Sequence, residues 1–240
     1  MMKIKIFFHP KSIAITLLAI FGIYLCVSAA QWQFHRGQNR HAENVRVKQL
    51  LTQNPVPFDA TRNFPTWSKV KLTGIFDRDH EILVRGRYRS DKYGFDVLTL
   101  FRTDTTKPIW VDRGWVEAFG DATQVPTPPP APTGSIEITG VLRAYDEKES
   151  TTGSLIALPA PKVGKIQTSK LDENFNSPRF DMYLQLTSDL GDSPIPADLP
   201  TFSDGPHYAY SLQWSFFVLL ILGGRFLIGR EELRSKLSSV

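Results

Sequence analysis

The chain has 240 residues, 42% of them hydrophobic and 22% charged, a balance too polar for a many-span transporter and too apolar for a disordered chain. Its formal net charge of +4 comes without a basic patch interleaved with stacking aromatics, so nucleic-acid binding is not indicated. Cys26 is the single cysteine, which excludes an intrachain disulfide and leaves any folded domain to be held by its own core.

Lys3, Lys5 and Lys11 precede an uncharged run, Ile13 to Ala30. With Ser12 and Gln31 the run is long enough to cross a bilayer as a helix, giving a first span at 12–31 and a cytoplasmic N-terminus at 1–11. A cleaved signal peptide is the rival reading, because Val27-Ser28-Ala29 would suit a signal peptidase; the uninterrupted length favours retention. Residues 31–54 carry no proline and read as a continuation of the same helix, with Trp32 and Arg36 one turn apart on one face. Asn54-Pro55-Val56-Pro57 ends it.

From Lys69 the period changes to two. Val70, Leu72 and Ile75, a turn at Asp77-Arg78-Asp79, and Glu81 to Val84 predict an antiparallel hairpin. Phe95 to Phe101 and Pro108 to Val116 are the next strands, and they are spaced to pair. The proline-rich stretch Val125 to Pro132 predicts a stiff extended connector before a strand at Ile136 to Arg143. Short strands are expected at Ser154 to Leu158 and Met182 to Leu186, with a short helix at Ser169 to Asn174. The fold expected for 32–207 is an extracytoplasmic α+β domain, antiparallel and β-rich, on a two-helix transmembrane hairpin.

Thr187 to Gly205 carries Asp189, Asp192, Asp198 and Asp204 and no Lys or Arg. The apolar run that follows predicts a second span at 208–228, in which Arg225 can snorkel to the interface. Arg230, Arg234 and Lys236 then place the tail, 229–240, in the cytoplasm. Arg36, Arg40, Arg46 and Lys48 after the first span run against this orientation, but the flanks of the second span and the length of the middle outweigh them.

Few groups converge for chemistry. There is no Gly-x-Ser-x-Gly elbow, phosphate-cradling glycine loop or His-Glu-x-x-His pair, so no enzyme is indicated. Met182 is the only methionine beyond the start, which leaves no paired copper site. His35 and His41 cannot face one another on a helix and read as surface residues. His207 stands at the mouth of the second span and shares a helical face with Tyr210 and Trp214. That cluster is either an interfacial aromatic belt with a polar cap or a ligand site, since neutral imidazole is a common axial ligand to haem iron. Within Trp110 to Trp115, strict alternation sets Asp112 and Gly114 on one face and Arg113 on the other beside Val111 and Trp115. Arg113 then either packs its stem on aromatics or presents its charge to a partner or a propionate.

Together these motifs resemble the Surfeit-locus family of cytochrome c oxidase assembly proteins. The resemblance rests on Trp32-Gln33 with Arg36, Pro55-Val56-Pro57, Gly74-Ile-Phe-Asp77, Gly94 to Leu100, Val111 to Val116, Gly140-Val-Leu-Arg143 and His207-x-x-Tyr210-x-x-Gln213-Trp214. Ala30 stands where that family usually has Gly, and Asp112 where Asn is common; the segment from Lys148 to Pro206 matches poorly. The resemblance implies a non-enzymatic, bacterial cell-membrane protein that helps mature the core subunit of the oxidase. It further implies haem a as a transient cargo, with haem a synthesis enzymes as partners beside the lipid bilayer. It implies cofactor contacts at His207, Tyr210, Trp214, Trp32 and Arg36, with His207 as the ligand to iron, and partner contacts at Arg113 and Trp115. A membrane-anchored binding or scaffold module of the cell envelope is the alternative.

Overall fold

A computed structural model describes residues 10–104, 107–118, 126–145, 178–188, 190–191, 194–196, 198–199 and 201–237. The strand expected at Ser154 to Leu158 and the helix at Ser169 to Asn174 lie outside the described residues. The chain divides into two compact units, one of residues 1–46 with 201–240 and the other of 47–200.

In the first unit the apolar runs form two long helices, α1 (Pro10–Thr52) and α2 (His207–Leu237). Proline suits the start of α1, where its missing N–H has no intrahelical acceptor to lose. Both helices are long and apolar enough to cross a membrane, and leucines and phenylalanines such as Leu17, Phe21, Leu212 and Phe216 point outward. Such a surface associates with lipid. The helices run antiparallel, and small residues set their approach: a β-carbon on Gly22 would lie 3.3 Å from Ile221, and one on Gly37 would lie 3.1 Å from the Tyr208 ring. Where lipid removes the hydrophobic drive for helix pairing, close packing of this kind supplies it. Polar contacts fix the alignment. Ser211 donates to the Ala30 carbonyl at 2.9 Å, and toward the other end Arg225 donates to Thr16 Oγ1 at 2.9 Å and Ser12 Oγ at 3.0 Å.

The second unit holds six strands: β1 (Val56–Pro57), β2 (Lys69–Arg89), β3 (Lys92–Thr103), β4 (Ile109–Glu117), β5 (Ile136–Ala144) and β6 (Met182–Leu186). Their order is β1-β2-β3-β4-β6-β5, and β2 also pairs with β5, so the sheet returns on itself. The expectation of an antiparallel sheet is corrected to a mixed one, because β1 with β2 and β4 with β6 run parallel. The expected hairpin about Asp77 is corrected too. Chain continues as strand through that point, and three extra residues of β2 bulge between the pairs Asp77–Leu100 and Glu81–Thr99. The real turn is Ser90-Asp91, where both residues have positive φ (48° and 63°), the geometry of a two-residue turn matching the twist of its strands.

Alternation along these strands separates two apolar clusters. The larger gathers Val70, Leu72, Phe76, Phe101, Val111, Leu142 and Leu184; the smaller gathers Ile82, Val84, Leu98, Leu100, Trp110 and Tyr145. The proline-rich connector is tied down by arginines, Arg78 donating to the Ala131 carbonyl and Arg113 to that of Pro129.

Candidate functional site

His207 opens α2 directly after Gly205-Pro206, and its half-buried ring meets α1. His207 Nδ1 lies 3.0 Å from Gln33 Oε1. With the amide oxygen accepting, Nδ1 carries the imidazole proton and Nε2 keeps its lone pair, the form in which histidine coordinates a metal. The ring is held in place by its neighbours. Tyr208 meets Phe34 edge to face at 5.8 Å and packs over Gly37. Two residues before Pro206, Asp204 accepts from Asn44 at 2.8 Å and lies 2.8 Å from His41 Nδ1. His41, expected to be a plain surface residue, thus helps fix the segment that leads into α2.

The other expected contacts divide. Trp32 and Arg36 meet as predicted, with the guanidinium 5.5 Å from the ring centre, and Trp32 remains exposed. Among the described residues no hydrogen bond or ring contact joins that pair to His207. Tyr210 is exposed and Trp214 half-buried, its ring edge-on to Phe217 at 5.6 Å. Beside them, an apolar groove of about 360 Å³ runs along the helix pair, lined by Val27, Ala30, Phe34, His35 and Ser211. His35 was expected only as a surface residue, and position alone could not show that it edges a groove.

Arg113 is fully buried in the second unit. Its Nη2 donates to Glu81 Oε2 at 2.7 Å and to the Pro129 carbonyl at 3.0 Å, while Nε donates to Thr99 Oγ1 at 2.9 Å. Thr99 in turn donates to the same Glu81 oxygen, closing a triangle. The guanidinium also lies 6.0 Å from the Phe76 ring centre. Burial pulls its pKa below the ordinary arginine value, against the pull of Glu81. In this structure Arg113 is thus held by Glu81, Thr99 and the Pro129 carbonyl, with its guanidinium near an aromatic face.

Trp115 does not share Arg113's face, and the reason is local. Asp96 pairs with Trp115 but Leu98 with Asp112, so Arg113 and Gly114 together oppose Val97 in a bulge. Gly114 has φ +125°, open to glycine alone. The extra residue turns Trp115 onto the face of Asp112. There the two help line a polar cavity of about 300 Å³ with Arg87, Asp96, Arg143 and Gln185. Burial, and then the neighbouring Asp96, push the Asp112 carboxyl well above the usual carboxylate range. Of this group Asp112 and Trp115 were singled out in the sequence, and Arg143 was quoted in a motif, but nothing there joined them; Arg87, Asp96, Arg143 and Gln185 come from four other strands.

A profile of the SURF1 family matches residues 20–219. An uncharacterized SURF1-like protein of Mycobacterium bovis is 25% identical over 244 residues, with 98% of this chain and 90% of that protein covered. The same figures hold for an uncharacterized SURF1-like protein of Mycobacterium tuberculosis strain H37Rv. A SURF1-like protein of Rickettsia bellii is 31% identical over 101 residues, 41% of this chain and 42% of its own length.

Proposed function

We propose, because the chain belongs to the SURF1 family, that it is a membrane-bound assembly factor for cytochrome c oxidase that aids delivery or insertion of haem a into the core subunit. Members of this family are in general oxidase assembly factors rather than enzymes. The observation that carries the haem part is the hydrogen bond from His207 to Gln33, which fixes the ring and leaves Nε2 available to iron. Among the described residues no cluster of three or more His, Cys, Asp or Glu side chains could hold a bare metal ion. An iron that arrives inside a macrocycle needs only an axial ligand and apolar walls, and His207 with the aromatics about it fits that need. When bound, haem would be cargo. His207 would hold its iron, and Tyr210, Trp214, Trp32 and Arg36 would flank it.

The proposed topology follows from charge. Lys11, Arg230 and Arg234 stand at one end of the helix pair, and Asp198 and Asp204 lie before the opposite end of α2. Under the positive-inside rule both termini are cytoplasmic and the domain at 32–207 is extracytoplasmic, in a multi-pass protein of the cell membrane. The partners proposed are the oxidase core subunit and the enzymes of haem a synthesis.

Deleting the protein should lower the haem a content and activity of the oxidase while sparing synthesis of its subunits; a normal oxidase in the deletion strain would sink the proposal. For the site, His207→Ala should strip most of the haem absorbance from protein purified after coexpression with haem a synthesis enzymes. The β-unit should keep its unfolding midpoint. Unchanged haem occupancy would remove His207 as the ligand.

A further inference from the structure

The polar cavity of the β-unit lies on the face of the sheet that carries the smaller apolar cluster. Alternation sets Asp96 in line with Leu98 and Leu100 on β3, Asp112 with Trp110 on β4, and Arg143 at the end of β5 with Tyr145 just beyond it. A polar hole continuing an apolar face is costly to build for stability alone. Its volume, about 300 Å³, is at the lower end of small-molecule sites.

Its hydrogen-bonding groups are incompletely used. Arg87 Nε sits 2.7 Å from Asp96 Oδ2, but among the described residues no hydrogen bond engages either Nη of Arg87. Arg143 stacks on Trp67 with its guanidinium carbon 3.9 Å from the ring centre and donates from Nη1 to Gln185 Oε1 at 2.5 Å, leaving Nη2 and Nε. Asp112 is 5% exposed. One of its oxygens accepts from the Gly114 amide at 3.0 Å, and among the described residues the other has no partner. At the rim Arg89 is held by the Pro196 carbonyl at 2.8 Å and lies 3.5 Å from Asp198.

A cation is poorly matched to this set, since Arg87 already neutralises Asp96 and two further guanidiniums line the cavity. Unused guanidinium N–H groups call for an oxyanion, and a planar carboxylate fits a guanidinium fork best. We propose that the cavity receives the carboxylate of a small organic acid, gripped by Arg87 and Arg143 and by the open oxygen of Asp112, with the rest of the ligand against Trp115 and Tyr183.

The Asp112 oxygen can contribute only as a protonated donor, because an ionised one would repel the ligand. The groups that set its proton are Arg87 from β2, Asp96 from β3, Arg143 from β5 and the neutral Gln185 from β6, with Arg89 and Asp198 at the rim. Burial and Asp96 raise its pKa in the folded chain. Protonated Asp112 is therefore present at low pH, and binding weakens as pH rises through that raised value.

The test is calorimetric titration of benzoate, and separately of inorganic phosphate, into the detergent-solubilised full chain at pH 6 and pH 8. Benzoate should saturate, and more tightly at the lower pH. Asp112→Asn, which keeps an N–H donor without a titrating proton, should bind benzoate equally at both values. Arg143→Met should weaken binding at least tenfold; should its circular dichroism show an unfolded sheet, Arg143→Lys, which lacks the fork, should show the same loss. Absence of saturable benzoate binding at pH 6 would overturn the proposal. So would preference for phosphate over benzoate, or a pH difference that survives in Asp112→Asn.

Discussion

Glu81→Ala is expected to destabilise the β-unit by about 3–5 kcal/mol, the usual cost of removing one partner from a buried ion pair. Arg113 has no exposed side-chain surface whereas 27% of Glu81 is exposed, so the two partners are not equivalent. Loss of Glu81 strands a cation that water cannot reach. Its Thr99 and Pro129 acceptors remain, but among the described residues Nη1 already has no hydrogen-bond partner. Loss of Arg113 leaves a carboxylate that can turn to solvent. Arg113→Met, which also keeps most of the buried volume, should therefore be the milder change, and Glu81→Ala with Arg113→Met should be more stable than Glu81→Ala alone. Urea unfolding of the full chain followed by tryptophan fluorescence gives the ranking. Equal midpoints for the two single variants would contradict it.

Gly114→Val should be comparably damaging for a different reason. A β-carbon at Gly114 would lie 2.2 Å from the Ile195 carbonyl oxygen, and φ +125° is closed to an L-residue. Backbone strain contributes about 1–3 kcal/mol and overpacking about 1–3 kcal/mol more. To relax, the chain must break the paired hydrogen bonds of Trp115 with Ile195, 2.7 and 3.0 Å long, and so release Trp115 from the cavity wall. Gly134 separates the two causes. It too has a positive φ, +82°, but nothing lies near a β-carbon there, so Gly134→Ala should cost only the backbone share, about 1 kcal/mol. A Gly114→Val variant that melts with Gly134→Ala would show that the close approach to Ile195 is unimportant.

The two long apolar helices and most strand positions were legible because each is carried by local period and composition. Phe95 to Phe101, Ile136 to Arg143 and Met182 to Leu186 all fall within strands. The unbroken length of β2 was not legible, because Asp77-Arg78-Asp79 has the composition of a turn. In the sheet, Asp77 instead bridges Arg102, at 2.9 Å to Nε, and His80, at 2.9 Å, so the acidic residue serves a bulge. At the site, His207 could be read from its place at the mouth of a span. Its partner Gln33 could be quoted from the resemblance but not paired with it, since the two residues are 174 positions apart and their pairing depends on how two helices align. The cavity was hidden for a similar reason. Arg87, Asp96, Asp112, Arg143 and Gln185 come from five strands, and the turn of Trp115 toward them needs a bulge that strict alternation does not predict.

The contacts of α1 with α2 and with the segment that leads into it have a mechanical consequence. Near one end Arg225 is bound to Thr16 and Ser12; toward the other, Ser211 is bound to Ala30, His207 to Gln33, and Asp204 to Asn44. Sliding one helix past the other by a single turn, about 5.4 Å, would break every one of these at once, and the apolar residues around them offer no replacement partners. Piston motion is therefore the costliest displacement available to the pair. Splaying costs less: opening the α2 N-terminal end gives up the His207 and Asp204 contacts while Arg225 holds the far end like a pivot.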